Sequence, residues 1–279
     1  MKNLKPLEQN LITIYDSIAS NCQGQKKLDL INERNKIVIR YDEYERNKLS
    51  LYRIAAQDYS QSQTIKKYLL ECYGSNKTLD KLKVDIKNLQ ETHYKAICPY
   101  CGISSSGSFD HYLPKGEYPE YAVLAINLIP CCEKCNSIKG ERWKESIELI
   151  FLNYYYHSIP NEKYLFANMS YIESNNVPTI SYEIKNIYGI ERTLYKNIET
   201  HYEKLKLCTR FEEHANDKLS EKFAEIKLAY SEGESIEQQK RQLKREYNVK
   251  IERKGRNDWE VVLLETIIDS DEFFGKIYI

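Results

Sequence analysis

The chain has 279 residues, in which 41 Lys and Arg balance 41 Asp and Glu, with 42% hydrophobic residues and a mean hydropathy of −0.63. These values are typical of a globular protein with one large or two smaller domains. A net charge of zero argues against a protein held on nucleic acid by bulk charge. The longest nearly apolar stretch, residues 121–132, is too short for a membrane span, and the first residues lack an apolar signal core. We therefore expect a cytoplasmic protein that does not bind membranes.

Residues 1–94 are predicted to form a helical N-terminal region. Apolar side chains recur at helical spacing, as in Leu11, Tyr15 and Ile18, and the helices are expected to break at Gly24 and at residues 74–76. This region carries a net charge of +4, whereas residues 95–145 carry none. Residues 95–145 are predicted to form a separate core, because five of the eight cysteines cluster there.

The clustered cysteines form two Cys-x-x-Cys pairs with 30 residues between them, a spacing that matches a four-thiolate zinc site. The predicted ligands are Cys98, Cys101, Cys132 and Cys135. Gly102 follows the first pair and gives the turn its backbone freedom, and Cys131 is assigned to packing. Accidental cysteines or a redox pair are the alternative interpretation.

Polar residues that can bind a metal or transfer a proton lie between and just after these pairs. Asp110 and Asn136 offer the oxygen ligands that Mg²⁺ prefers, and His111 has a side chain whose ordinary pKa near neutrality suits a general base. Lys139 follows Asn136 by three residues, so it shares a face with Asn136 if the segment is helical. Lys139 and Arg142 are predicted to bind a phosphate, or alternatively to form a solvated helix face.

In this order, the two cysteine pairs, Asp110-His111, Asn127, Asn136 and Lys139-Gly140 resemble the HNH endonuclease family. The resemblance covers about 45 residues and implies a ββα-metal core, in which two strands and a helix surround one divalent cation. It implies that His111 is the general base and that Asp110 and Asn136 hold a catalytic Mg²⁺ or Mn²⁺. It also implies that Asn127 braces the loop that holds the histidine.

Residues 146–279 are predicted to add a β-hairpin and a helical C-terminal region, with a net charge of −4. The sequence predicts a helix over residues 146–156, strands over 164–172 and 178–184 joined at Asn175-Asn176, and helices over 187–208, 213–231, 235–247 and 259–274. The basic run Lys240–Arg256 has eight basic and two acidic residues. It predicts either contact with a phosphate backbone or partner, or a solvated helix face. The predicted fold class is therefore α+β.

A small HNH core with helical flanks and a following hairpin is similar to the nuclease component of Septu-type bacterial anti-phage systems. Outside residues 95–145 the similarity is limited to the order of the predicted elements. It implies an ATPase partner that activates cleavage.

Two functional hypotheses follow. The first is a metal-dependent endonuclease that acts on nucleic acid, with DNA favoured over RNA. The second is a zinc-stabilised nucleic-acid-binding or adaptor subunit with no cleavage activity of its own. The sequence leaves nicking against double-strand cutting, the target and the oligomeric state open.

Overall fold

The computed structural model of the chain describes residues 2–9, 11–74, 76–146, 148–172 and 177–277. The chain divides into two compact units, one of residues 3–158 and one of residues 159–279 together with the first two residues. Residues 95–145 lie in the same unit as the N-terminal helices, while the regional boundaries near residues 94 and 146 remain predictions from composition. Within the described ranges, no helix has the length and apolar character needed to cross a bilayer.

The described residues of the first unit, 3–158, form six α-helices and two short antiparallel hairpins. The helices are α1 (Leu11–Asn21), α2 (Gly24–Asn47), α3 (Gln63–Glu71), α4 (Lys77–Asn88), α5 (Thr92–Ala96) and α6 (Glu133–Lys139). The strands are β1 (Ser108–His111), β2 (Leu128–Cys131), β3 (Lys144–Glu145) and β4 (Glu148–Leu149).

The N-terminal helices follow the predicted periodicity. Leu11, Tyr15 and Ile18 are buried on one face of α1, which packs against α2 and α4. Gly24 begins α2 with a φ of +56°, a left-handed conformation that favours glycine. The predicted break at this position is confirmed.

A small ββα arrangement lies in the middle of this unit. Strands β1 and β2 pair antiparallel, with Asp110 opposite Ile129 and His111 opposite Leu128, and α6 packs against β1. All four residues of β2 are buried, so the hairpin belongs to the core of the unit. This arrangement carries Asp110 and His111 on one strand and Asn136 on the adjoining helix.

The predicted helix over residues 146–156 is wrong. The described residues of this segment form strand β4 and then irregular chain, and Ser146 adopts a φ of +57° at the reversal between β3 and β4. Every residue from Ile150 to Tyr155 is buried. An amphipathic helix buries one face and exposes the other. A stretch whose residues are all buried lacks this division, so its apolar side chains are covered without helical structure.

The described residues of the second unit contain the predicted β-hairpin and five helices. The elements are β5 (Leu165–Ile172), β6 (Val177–Ile184), α7 (Arg192–Lys204), α8 (Leu207–Ser231), α9 (Ile236–Lys254), α10 (Trp259–Asp269) and α11 (Asp271–Ile277). The hairpin is confirmed, since β5 pairs antiparallel with β6 and β6 packs on α8. The predicted Asn175-Asn176 turn lies outside the described residues.

Several helix boundaries in this unit differ from prediction: α7 begins at Arg192 and not at 187, α8 begins at Leu207 and not at 213, and α9 extends to Lys254 and not to 247. The helix predicted over 187–208 ends at Lys204, because Lys206 turns the chain with a φ of +52° before α8 begins at Leu207. The helix predicted over 259–274 is divided at Ser270, whose backbone is extended. Ser270 then accepts a hydrogen bond from Phe273 N, which satisfies an N-terminal donor of α11.

Candidate functional site

The four predicted thiol ligands lie together. The Sγ atoms of Cys98, Cys101, Cys132 and Cys135 are all within 4.8 Å of one another, and each of these residues is buried. The Cys101 and Cys132 sulfurs are 3.9 Å apart. A tetrahedral ion with Zn–S distances of about 2.3 Å separates its sulfurs by about 3.8 Å, so the cluster has the geometry of a structural zinc site.

Two local turns bring the pairs into position. Gly102 has a φ of +65° and donates its N–H to the Cys98 carbonyl at 2.8 Å, which closes the first pair. Cys132 is the N-cap of α6, and its sulfur accepts from Cys135 N at 3.4 Å. Cys131 lies outside the cluster, 3.5 Å from Ser108 Oγ, so its assignment to packing is confirmed.

The thiol cluster favours a negative charge. Hydrogen bonds from Cys101, Cys135 and Cys98 lower the pKa of Cys132 far below that of a free thiol. Burial raises the pKa of Cys98 well above its ordinary value. Four buried sulfurs this close together are natural ligands for a cation, since metal binding replaces the thiol protons.

Asp110 is held by two buried donors. Its Oδ1 lies 2.9 Å from Lys139 Nζ, and its Oδ2 accepts from Tyr100 OH at 2.6 Å. Burial raises the pKa of Tyr100 well above its usual value, so the hydroxyl keeps its proton and remains a donor. An ionised carboxylate has about four lone pairs, so these contacts leave acceptor capacity on Asp110 for a further ligand.

Lys139 lies in a different environment from the predicted one. Its side chain is fully buried, and besides Asp110 it donates to the His111 carbonyl at 3.0 Å. The sequence predicted that this ammonium binds a phosphate or lies on a solvated helix face, whereas in the structure it is buried against the Asp110 carboxylate. Arg142 is exposed and directs its guanidinium to the Ile138 and Lys139 carbonyls at the end of α6.

The imidazole of His111 has a defined tautomer. Its Nε2 lies 2.9 Å from the Ala122 carbonyl, and because a carbonyl only accepts, Nε2 carries the hydrogen and Nδ1 keeps a lone pair. The pKa of His111 is lowered to about 3, mainly by burial and to a smaller extent by the nearby Lys115, Lys139 and Lys83, while the hydrogen bond to the Ala122 carbonyl acts in the opposite direction. The ring is therefore neutral at physiological pH.

The loop that provides this carbonyl is fixed by buried polar contacts. Arg40 of α2 forms a 2.6 Å ion pair with Glu120, which lies two residues before Ala122. Asn127 is fully buried, accepts from Leu113 N at 2.8 Å and donates to the Leu113 carbonyl at 3.0 Å. These bonds hold the chain directly after His111, which is the contact pattern that the predicted bracing role requires.

A cavity of about 200 Å³ joins three of the predicted site residues. Its lining includes Asp110, His111 and Asn136. Asn136 donates through Nδ2 to Ser108 Oγ and to the Phe109 carbonyl, both at 3.4 Å. Its Oδ1 has no hydrogen bond to a described residue, so an amide oxygen and a carboxylate are available at one opening. These hard oxygen donors fit Mg²⁺ or Mn²⁺.

Sequence reasoning missed two residues of this site. Tyr100, which lies between the first two cysteines, gives no signal of its hydrogen bond to Asp110. Tyr73 lines the cavity, and its ring lies 4.2 Å from that of His111. Its position depends on contacts between segments almost 40 residues apart, which no local pattern reveals.

Comparison with known proteins gives one partial match of note. The protein Ea31 of Escherichia phage lambda is 50% identical to this chain over 40 residues, which is 14% of each protein. The chain thus covers only a small part of that relative. No family model matches the chain. No solved structure matches it either.

Proposed function

We propose that this protein is a metal-dependent endonuclease of the HNH type, which hydrolyses phosphodiester bonds of nucleic acid. The observation that carries the proposal is the cavity lined together by Asp110, His111 and Asn136. These three side chains come from β1 and α6, as the ββα-metal resemblance implies. DNA is the favoured substrate, with RNA kept as an arm of every cleavage assay.

His111 acts as the general base in this proposal. Its neutral ring holds Nε2–H on the Ala122 carbonyl, so Nδ1 accepts a proton from water while the water oxygen attacks phosphorus. The phosphorus bond to the leaving oxygen breaks, and that oxygen takes up a proton from solvent. Asn127 and the Arg40–Glu120 pair keep the imidazole in place.

Asp110 and Asn136 would hold the catalytic Mg²⁺ or Mn²⁺. When bound, such an ion stabilises the negative charge that develops on the phosphoryl and leaving oxygens. Lys139 and Tyr100 act as positioning residues, because their hydrogen bonds fix the orientation of the Asp110 carboxylate. In this assignment Lys139 does not bind substrate, and the four-cysteine cluster holds a structural zinc ion.

The anti-phage context belongs to the proposal as well. If an ATPase licenses cleavage, as the Septu-type layout implies, then the isolated chain would show weak activity that its partner increases. The zero net charge is consistent with weak unaided binding to nucleic acid.

Plasmid nicking in Mg²⁺ or Mn²⁺ tests the proposal, by comparing wild type with His111→Ala and with His214→Ala, an exposed histidine in the second unit. We expect His111→Ala to nick at least about 100-fold more slowly and His214→Ala to match wild type. Equal nicking by His111→Ala would remove the proposed base. No cleavage of DNA or RNA by wild type, alone or with its ATPase, would leave the adaptor hypothesis.

A further inference from the structure

A second cleft lies beside the candidate active site. It has a volume of about 450 Å³ and is lined by Tyr73, by Lys83 and Lys87 of α4, and by residues of β1. It shares Tyr73, Phe109 and Asn136 with the Asp110–His111 cavity. The two spaces are therefore neighbours along one surface of the first unit, and what lies in the larger one is next to the proposed base.

Three lysines converge on two aromatic rings, with Lys83 and Lys87 in this cleft and Lys115 in the adjoining Asp110–His111 cavity. The ammonium groups of Lys83 and Lys115 lie 4.6 and 4.7 Å from the centre of the Tyr73 ring. Lys87 lies 5.6 Å from the centre of the Phe109 ring and donates to the Ser106 carbonyl. Because the same Tyr73 ring also contacts His111, two of the three cations are placed next to the proposed base.

These lysines lack the acidic partners that many other lysines of the chain have. Among the described residues, no carboxylate forms an ion pair with Lys83, Lys87 or Lys115. By contrast, two lysines of the basic run that the sequence singled out, Lys250 and Lys254, both pair with Glu260. Lysines without an ion-pair partner attract an anion. Lys83 and Lys87 line the larger cleft, and Lys115 lines the adjoining cavity together with Asp110 and Glu141.

We propose that Lys83, Lys87 and Lys115 bind the phosphodiester groups of a nucleic-acid strand on either side of the bond to be cut. The inference rests on the proposed endonuclease function, since it takes that bond to lie at His111. Tyr73 is a positioning residue that holds Lys83 and Lys115 beside the imidazole. A phosphodiester backbone fits because it presents negative charges in series, and such charges bind lysines without any base recognition.

The cleft assigns substrate binding to α4, outside the segment that resembles HNH nucleases. The predicted binding residues Lys139 and Arg142 are engaged with Asp110 and with helix carbonyls, so another source of positive charge is needed. Lys83 and Lys87 are four residues apart and therefore share one face of α4. Lys83 and Lys87, which contribute to the +4 charge of residues 1–94, would thus bind the substrate backbone.

Binding is tested in a His111→Ala background, so that cleavage plays no part. Fluorescence anisotropy would measure the affinity for labelled single-stranded DNA, duplex DNA and RNA of one sequence over a series of salt concentrations. We expect Lys83→Gln/Lys87→Gln to weaken binding at least about 10-fold at low salt. The slope of log K against log salt should fall in magnitude by about 1.4 to 1.8, since each of the two lost phosphate contacts removes about 0.7 to 0.9.

The matched control is Lys77→Gln/Lys81→Gln, which makes the same charge change with the same spacing on exposed positions of α4. This control should bind like the parent. Equal affinities and equal salt slopes for the two double variants would overturn the inference, even if wild type nicks DNA. A clear difference between them would support the cleft even if wild type cuts nothing, in which case only the endonuclease proposal falls.

Two further measurements complete the test. Tyr73→Leu should weaken binding about 2- to 5-fold, because the lysines lose the ring that holds them, and Tyr73→Phe should restore it. A Tyr73→Phe protein as weak as Tyr73→Leu would contradict the positioning role. Poly-glutamate that binds as tightly as nucleic acid would overturn the assignment to a phosphodiester backbone. Zinc content and circular dichroism of each variant show that it is folded.

Discussion

The four-cysteine cluster and the Asp110–His111 cavity both include residues at α6, yet the cluster encloses its polar groups whereas the cavity leaves its polar groups at an opening. The cluster gathers four identical ligands at mutual contact distance and buries all of them. The cavity gathers a carboxylate, an imidazole and an amide, and it keeps one side open. A closed set of identical ligands suits a structural ion, whereas mixed donors at an opening suit chemistry on a substrate.

Helix α6 connects the two sites. Its N-cap Cys132 and its first turn with Cys135 serve the thiol cluster, and its next turn carries Asn136 and Lys139 for the cavity. A single seven-residue helix is too short to be stable by itself, so its position depends on the cluster at one end and on the buried lysine at the other. A substitution in the cluster should therefore also disturb the cavity, whereas a substitution in the cavity should disturb the cluster less.

The largest effect should come from the cluster. Cys98→Ser should reduce the zinc content from about one ion per chain to nearly none and unfold the first unit, because metal binding at such sites contributes about 10 kcal/mol or more to folding. Zinc content by mass spectrometry and unfolding by circular dichroism measure both effects. Cys131→Ser, a buried cysteine outside the cluster, should keep its zinc. A folded Cys98→Ser protein with full zinc would refute that ligand.

Loss of the buried ammonium should have the next largest effect. Lys139→Met leaves Asp110 buried without its cation, and we expect this to lower the free energy of unfolding by about 3–5 kcal/mol while zinc remains bound. Lys134→Met, at an exposed position of the same helix, is the control. Urea unfolding measures the difference. Equal stability of the two variants would mean that Lys139 does not support the carboxylate.

The pH dependence of stability should reveal the buried imidazole. The unfolded chain takes up a proton at His111 near pH 6.5, whereas burial lowers the pKa in the folded protein to about 3. Stability is therefore fully present above pH 6.5 and decreases as the pH falls from there towards 3. Between pH 7 and 5, wild type should lose about 2 kcal/mol more than His111→Gln. Parallel pH curves for the two proteins would show that the ring is not held neutral.

The smallest effect should come from a single hydroxyl. Tyr100→Phe removes the donor to Asp110 Oδ2 and should lower the free energy of unfolding by about 1.5 kcal/mol, with zinc content unchanged. If the carboxylate also holds a catalytic ion, nicking should fall more than stability alone explains. Tyr112→Phe, which removes a buried hydroxyl bonded to the Phe151 carbonyl, is the control. If both variants lost the same amount of activity, Tyr100 would have no role at the site beyond its contribution to stability.

The parts of the site that follow from short-range chemistry were predictable. Two Cys-x-x-Cys pairs predict their four ligands, because tetrahedral coordination demands that spacing. The turn at Gly102 and the hairpin of β5 and β6 likewise depend on local preferences and were found where the sequence placed them. By contrast, the helix predicted over residues 146–156 failed because burial on all sides removes the periodicity on which such predictions depend.

The sequence by itself determined which residues can bind a metal and which can exchange a proton. Only the tertiary structure decided what each of them meets. The sequence around Lys139 and its place in the helix are the same whether its ammonium faces solvent or Asp110. The packing of α6 on β1 decides that the ion pair is buried. In the same way, Lys83 and Lys115 are distant in sequence and come together at Tyr73 through the fold. Charge pairing depends on distances in space, which a linear pattern does not contain.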